Sequence, residues 1–308
     1  MSERVDWVAV DWGTSNLRAW GIAADGSVGL ERSSPKGMGK LTREEFAPTL
    51  VELLAEIDAE HLEHTEVLIC GMAGARQGWL EAPYLEAPAD LLELAAGAVS
   101  PTMADDRFSV SILPGVSQRG GADDVMRGEE TQLLGLAALK PGFEGVVCLP
   151  GTHSKWAQLE GTQLKHFSTA MTGELFELLR TQSVLRHSLS GDIDGAGRDD
   201  GFAEGASRGL EHPDRLLSTL FQVRAGSLLS GREPSWCGGF LSGLLIGAEI
   251  GGNRHLLGSA PVPLIGSQAL CSLYARVLGM IGARGELTDA TAIVVAGLKA
   301  ARRHAVQE

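Results

Sequence analysis

Basic residues are in short supply. The 308-residue chain has 26 Lys and Arg against 39 Asp and Glu, a formal net charge of −13. That balance excludes a nucleic-acid backbone or an anionic membrane as the main partner. A local pocket can still oppose the global field around a small anion. Cysteine is also scarce. Cys70, Cys148, Cys237 and Cys271 show no CxxC spacing, and three sit in apolar runs. They read as buried small hydrophobes in a reducing compartment. The eight histidines lack metal-ligand spacing, so no zinc is expected. No run is long and charge-free enough to span a bilayer, and MSERVDW carries no apolar signal segment. A cytoplasmic protein is expected. Neither GxxxxGK[ST] nor GxGxxG stands between a strand and a helix, which excludes the P-loop and the Rossmann fingerprint.

Apolar residues make up 44% of the chain, enough for real cores, and its length suits two ordinary domains or one large one. Val5 to Val10 reads as a buried strand that opens into the polar loop Asp11–Asn16. A second apolar run, Leu17 to Ile22, a hairpin turn at Ala24–Ser27 and a strand near Val28–Glu31 follow. Phe46, Leu50, Leu53, Leu54 and Ile57 recur at helical spacing behind a Thr42/Glu45 capping box, and Pro48 predicts a kink or a late start. A short helix near Ala89–Ala96, a strand near Phe108–Leu113 and the apolar helix TQLLGLAAL continue an α/β pattern.

The opening arrangement then recurs. VVCLPGTHSKWAQLEGTQLKHF is again strand, Gly-Thr loop, strand, turn, strand, and Trp20 and Trp156 both lie in the strand after the loop. The pattern predicts an internal duplication.

Two such loops suit phosphate. Glycine lets the backbone approach an anion, and N–H and hydroxyl groups donate to its oxygens. Lys155 adds a positive charge. A carboxylate at the first loop repels phosphate but can hold Mg²⁺ or its waters, since Mg²⁺ is satisfied by one or two carboxylates plus phosphate oxygens. Asp11 therefore either faces a nucleotide-bound Mg²⁺ or caps its own loop through the Thr14 or Ser15 amides.

Seven ordered blocks, VDWGTSNLRAW, GMAGARQGW, DVMRGEETQLLG, LPGTHSKW, TAMTGELF, FLSGLLIG and LIGSQAL, run from about residue 5 to 300. Together they resemble the 2-dehydro-3-deoxygalactonokinase family, within the superfamily of sugar kinases, Hsp70 and actin. The resemblance implies an α/β fold of two ribonuclease-H-like (actin-like ATPase) domains around a central nucleotide cleft. It implies residues 1–128 as the N-terminal domain, with the first phosphate loop and the sugar-acid site. Residues 129–308 would form the C-terminal domain, with the second phosphate loop and the adenosine site. The cofactors implied are ATP and Mg²⁺, and the partner is a small sugar acid phosphorylated on its terminal (6-) hydroxyl.

Residue by residue, the resemblance places Asp11, Gly13, Thr14 and Ser15 at the first phosphate loop, and Gly151, Thr152 and Lys155 at the second. GTHSK departs from the wider superfamily there, so the roles of His153 and Lys155 are not carried over from it. Gly266 and Ser267 match the adenosine segment, or form a plain turn capped by Ser267. The proton acceptor is sought among Asp124, Glu129 and Glu130, with Asp124 and Glu130 preferred; acids at a helix start also serve its dipole. The substrate carboxylate needs a guanidinium, with Arg76 the first candidate and Arg127 the alternative. Gln118, Thr172 and Glu174 either bond sugar hydroxyls or, for the last two, cap a helix. Two other readings share the fold: a kinase of a related acid such as 2-keto-3-deoxygluconate, and an ATP-switched binding module. The chain is short for the extra subdomains of the latter.

Overall fold

The computed structural model describes residues 5–55, 65–120 and 122–307. The apolar runs read as strands become β1 (Trp7–Trp12), β2 (Leu17–Ile22), β3 (Val28–Ser34) and, further on, β7 (Phe108–Ile112). Between and after them stand β4 (Thr65–Gly71), β5 (Tyr84–Glu86), β6 (Ala89–Asp90), β8 (Gly115–Gln118) and β9 (Asp124–Met126). The first sheet has the order β3-β2-β1-β4-β7. Its first three strands are antiparallel, and β4 and β7 run parallel to β1. Strand β1 extends to Trp12, so Asp11 lies in the strand and not in the following loop.

The later strands are β10 (Glu144–Leu149), β11 (Ser154–Glu160), β12 (Gln163–Ala170), β13 (Val262–Leu264) and β14 (Gly285–Leu287). Their sheet has the order β14-β13-β10-β11-β12-β6. Leaving aside β6, this is the first order again: three consecutive strands at one side, then two parallel additions beside the first of them. The duplication inferred from the two Gly-Thr loops thus extends to strand topology. The short helix expected near Ala89–Ala96 is instead β6 followed by a 3₁₀ stretch, Leu91–Gly97. Ala89 and Asp90 pair with Leu164 and Gln163, which commits their backbone to a ladder.

The helices are α1 (Phe46–Leu54), α2 (Glu129–Leu139), α3 (Thr172–Thr181), α4 (Arg198–Glu211), α5 (Leu216–Ser230), α6 (Pro234–Gly252), α7 (Gln268–Met280) and α8 (Ala290–Gln307). Helix α1 starts late, which leaves Pro48 in its first turn, where no N–H is needed. Glu45 Oε2 accepts from Thr42 N at 2.7 Å, as the capping box predicts. Ile57 lies outside the described residues. Among the described residues no helix is long and apolar enough to cross a membrane.

The chain divides into two compact units. One is Met1–Glu144 with Gln158–Phe167 and Ala290–Glu308; the other is Gly145–Ala157 with Ser168–Asp289. Helices α2 and α8 both belong to the first unit. Glycine explains their pairing. A Cβ on Gly135 would stand 1.9 Å from the Ile293 carbonyl oxygen, and one on Gly297 1.9 Å from that of Thr131. The second unit repeats the device between α4 and α6. Gly201, Gly205 and Gly209 face α6, and Gly239, Gly243 and Gly247 face α4, each with its missing Cβ 2.0–2.5 Å from a carbonyl oxygen opposite.

The first unit's core is aromatic near β1. Trp12, Phe46 and Trp79 pack with ring centroids 4.8 to 6.1 Å apart. Trp12 and Trp20 are buried in the first unit and Trp156 in the second, the packing role expected of aromatics beside the loops.

Candidate active site

In the first unit the site is built around the end of β1. Asp11 pairs in register with Arg18 on β2 and with Cys70 on β4. Its Oδ2 accepts from Arg18 Nη2 at 2.7 Å. The compensation for a charge at this strand end is thus a guanidinium on the next strand, and Thr14 and Ser15 amides do not cap it. The carboxylate keeps some exposure, 18%. Its other oxygen, Oδ1, faces Gly71, where a Cβ would come within 3.5 Å of it and within 2.7 Å of the Trp12 carbonyl. Gly71 also adopts φ +93°, so glycine is required there twice over. The loop after β1 is tight. Gly13 N donates to Asn16 O at 2.9 Å, and Met38 N and Gly39 N donate to the Gly13 and Thr14 carbonyls. Thr14 and Ser15 stay exposed.

Glu130 is completely buried at the start of α2. Both its oxygens accept from Gly128 N, at 2.8 and 2.7 Å, and Thr131 Oγ1 donates to it at 3.2 Å. Burial, with Glu129 nearby, pushes its carboxyl up from 4.5 to about 7. Burial likewise holds the Cys70 thiol neutral, with the charges of Asp11 and Glu130 adding to the effect. Glu129 accepts from Arg127 N at 3.1 Å. Asp124 is half-buried on β9, opposite Gln118, and accepts from Val125 N at 2.8 Å.

The two candidate arginines differ. Arg76 is 80% exposed and meets Glu81 at 3.3 Å. Arg127 is buried, with its guanidinium 4.3 Å over the Tyr84 ring and Nη2 donating to Ala82 O at 2.8 Å. Among the described residues its Nε and Nη1 have no hydrogen-bond partner. Gln118 is committed to the fold: Nε2 donates to Ala122 O and Oε1 accepts from Phe167 N.

The second unit holds the other loop. Gly151 and Thr152 sit between β10 and β11 against the start of α3. A Cβ on Gly173 would meet the Gly151 carbonyl at 2.5 Å, and Glu174 N donates to Thr152 O at 3.0 Å. The Glu174 carboxylate is bonded to His153 Nε2. Lys155 is 4% exposed. Among the described residues its ammonium has one hydrogen-bond partner, Thr169 Oγ1 at 2.8 Å, and no carboxylate within ion-pair reach. Gly266 lies against the same loop, its missing Cβ 2.8 Å from Pro150 O. Ser267 caps α7 by accepting from Leu270 N at 3.4 Å.

The residue that sequence reasoning missed is Glu249 on α6. It is 8% exposed and accepts from Trp156 Nε1 at 2.8 Å, from Tyr274 OH at 2.6 Å and from Thr172 Oγ1. Burial raises its carboxyl, and the three donors oppose that shift. Thr172 therefore spends its hydroxyl inside the unit. A lone acid in the apolar run GGFLSGLLIGAEI was the available signal.

The family model described as 2-keto-3-deoxy-galactonokinase matches residues 11–301. A Rhizobium meliloti (strain 1021) relative, named a probable 2-dehydro-3-deoxygalactonokinase, is 44% identical over 299 residues, 96% of this chain and 96% of its own. The 2-dehydro-3-deoxygalactonokinase of Escherichia coli (strain K12) is 35% identical over 278 residues, 90% of each chain. A crystal structure of a Sinorhizobium meliloti protein assigned to the 2-dehydro-3-deoxygalactonokinases is similar at a TM-score of 0.87 and 44% identity, covering 96% of this chain and 98% of that one. A likeness that spans both Gly-Thr loops, the buried Glu130 and the Glu249 cluster leaves one assignment: the chain belongs to the 2-keto-3-deoxy-galactonokinase family.

Proposed function

We infer that the protein phosphorylates the terminal 6-hydroxyl of 2-dehydro-3-deoxy-D-galactonate with ATP, in galactonate catabolism. The products are 2-dehydro-3-deoxy-6-phosphogalactonate and ADP. The observation that carries this reading is the family match across residues 11–301. Use of ATP fits the cytoplasmic location expected from the sequence.

The finer reading is of two ribonuclease-H-like domains around a nucleotide cleft, with the first phosphate loop and sugar-acid site in one and the second loop and adenosine site in the other. The repeated strand order supports it. Lys155 supports the phosphate assignment. A buried ammonium with only a hydroxyl partner is costly until an anion arrives. Gly13, Thr14, Ser15, Gly151 and Thr152 would line the two loops, and Gly266 and Ser267 would stand at the adenosine. Asp11 fits Mg²⁺: it is ionisable, partly exposed, and has one oxygen beside the Gly71 cradle. Among the described residues no cluster of three or more His, Cys, Asp or Glu could hold a metal. A metal here would lean on phosphate oxygens as well as on Asp11. Bound Mg²⁺ would neutralise phosphate charge.

Transfer of the γ-phosphoryl group breaks its bond to the β,γ-bridging oxygen, which leaves on ADP, and forms a new O–P bond at the sugar hydroxyl, whose proton must go to a base. Asp124 suits the role better than Glu130, whose oxygens are both taken by Gly128 N and which has no solvent contact. Arg127 suits the substrate carboxylate better than Arg76, because its Nε and Nη1 lack partners among the described residues and Arg76 already pairs with Glu81. Glu174 stands at the second loop, bonded to His153, and Gln118 and Thr172 act through the fold.

ADP release with MgATP is the direct test. The panel is 2-keto-3-deoxygalactonate, 2-keto-3-deoxygluconate, galactonate, gluconate and pantothenate. Selective turnover of the first is expected. Turnover of 2-keto-3-deoxygluconate in its place moves the assignment to the related acid. No turnover on any, with ATP still bound, sinks the kinase reading.

A further inference from the structure

Glu249 is an expensive residue. It places a carboxylate inside an otherwise apolar stretch of α6, where a leucine of similar volume would cost nothing to bury. What it collects in return comes from three separate elements: Trp156 from β11, Thr172 from the first turn of α3 and Tyr274 from α7. Two of these lead to the second Gly-Thr loop.

The first path runs through Tyr274. Its hydroxyl lies 2.9 Å from Ser154 Oγ, and Ser154 Oγ accepts from Gly151 N at 3.4 Å. Glu249 Oε2 accepts from the Tyr274 hydroxyl, which fixes the polarity of the whole chain. Tyr274 donates to Glu249, Ser154 donates to Tyr274, and Gly151 N–H donates to Ser154. The second path runs through Thr172. Glu249 holds the Thr172 hydroxyl, the next residue, Gly173, lies against the Gly151 carbonyl, and Glu174 N donates to Thr152 O. The loop is therefore pinned from both sides by one carboxylate. Lys155 follows Ser154 directly in β11, and its side chain goes to Thr169. The acid thereby fixes Gly151, Thr152 and the root of Lys155.

We propose that Glu249 is a positioning residue for nucleotide: through Tyr274–Ser154 and through Thr172 it holds the Gly151–Thr152 loop and Lys155 in the geometry that receives ATP phosphates. The proposal rests on the kinase reading above. It predicts an effect on nucleotide and not on the sugar acid. Glutamine at 249 keeps the shape but brings an NH₂ where two hydroxyls now donate, which reverses the chain's polarity toward Gly151.

The test uses the full chain with Glu249→Gln and, independently, Tyr274→Phe, which cuts the first path and leaves the acid in place. Steady-state kinetics are read separately for ATP and for 2-keto-3-deoxygalactonate, beside MgADP binding by calorimetry and thermal melting. Expected for Glu249→Gln is a KM for ATP and a Kd for MgADP raised about tenfold, with the KM for the sugar acid within about twofold. Tyr274→Phe should shift in the same direction by less. Wild-type nucleotide affinity in both variants overturns the proposal. Equal losses for both substrates in step with lower melting also overturn it, since they mark a core residue only. If Glu249→Gln does not fold, Tyr274→Phe decides alone. Failure of the wild-type protein to bind MgADP sinks the kinase reading itself, an outcome the wild-type titration reveals before any variant is compared.

Discussion

Asp11 Oδ2 lies 2.7 Å from Arg18 Nη2, and the two residues are register partners on adjacent strands. The pair explains how a carboxylate survives at the end of a strand whose other residues are buried. It also leaves Oδ1 directed at the Gly71 backbone. Asp11→Asn should therefore fold, because asparagine can still accept from Arg18. Its Mg²⁺-dependent kcat should fall by about 100-fold or more. Arg18→Met should cost less, about 10-fold, by leaving the carboxylate unoriented. Kinetics at saturating ATP with Mg²⁺ titrated check both. An Asp11→Asn protein with normal turnover rules out the metal role.

Glu130 gives the protein a pH-dependent stability with a definite sign. Burial raises its carboxyl from 4.5 to about 7. Below pH 4.5 both folded and unfolded chains hold the proton. As pH rises toward 7 the unfolded chain releases it first, so stability is lost through that window and the loss is complete above it. The magnitude is of order 3 kcal/mol. Glu130→Gln removes the titration and keeps an acceptor for Gly128 N. Its melting temperature relative to wild type should be higher at pH 8 than at pH 5; a constant difference contradicts the buried, protonatable carboxyl. The same variant separates the base candidates. Turnover that survives in Glu130→Gln and is lost in Asp124→Asn assigns the base to Asp124.

Lys155 sets stability against function. Among the described residues its buried ammonium has a hydroxyl beside it and no acid within ion-pair reach. Lys155→Met removes that burden and keeps most of the volume, so melting should rise or stay unchanged. The KM for ATP should rise about tenfold or more, because the charge proposed to meet phosphate is gone. A variant that melts lower and binds ATP normally would make Lys155 a structural residue.

The arginines can be told apart by the sugar acid. Arg76 stands in solvent beside Glu81, and exposed pairs of this kind contribute little. Arg76→Ala should leave both KM values unchanged. Arg127→Lys keeps a charge but loses the planar fork, so the KM for the sugar acid should rise about tenfold. A reversed result would move the carboxylate anchor to GMAGARQGW.

Much of this was legible in the chain because apolar runs and Gly-Thr loops are local signals. Val8 to Val10 and Val146 to Leu149 read as strands, and the two loops betrayed the repeat that the strand order then extended. Asp11 and Lys155 stand out by type and place, and Glu130 through the family resemblance. What escaped depends on pairing across the chain. Arg18 gains meaning only when β1 and β2 lie side by side, and Glu249 only when Trp156, Thr172 and Tyr274 converge on it. The 3₁₀ stretch at Leu91–Gly97 escaped for the same reason, since the ladder from β6 to a distant strand sets its start.

The glycines of α4 and α6 are the plainest case of such hidden information. Gly201, Gly205 and Gly209 recur every four residues, as do Gly239, Gly243 and Gly247, yet glycine lowers helix propensity at each site. The structure supplies the compensation, because the two backbones approach too closely for any side chain. A Cβ on Gly205 would lie 2.1 Å from the Phe240 carbonyl oxygen and 2.8 Å from Leu244 N. These are rigid backbone atoms, so the helices must separate. Gly205→Ala should cost about 2–3 kcal/mol despite its better helix propensity. Gly279→Ala in α7 is the control, with nothing within 4 Å of its added Cβ. It should stabilise the protein by about 0.5 kcal/mol. Urea denaturation of both variants measures the contrast. Because α6 also carries Glu249, Gly205→Ala at permissive temperature should weaken MgADP binding as well, while Gly279→Ala leaves it unchanged. Equal stability of the two variants would mean that α4 and α6 do not pack backbone to backbone.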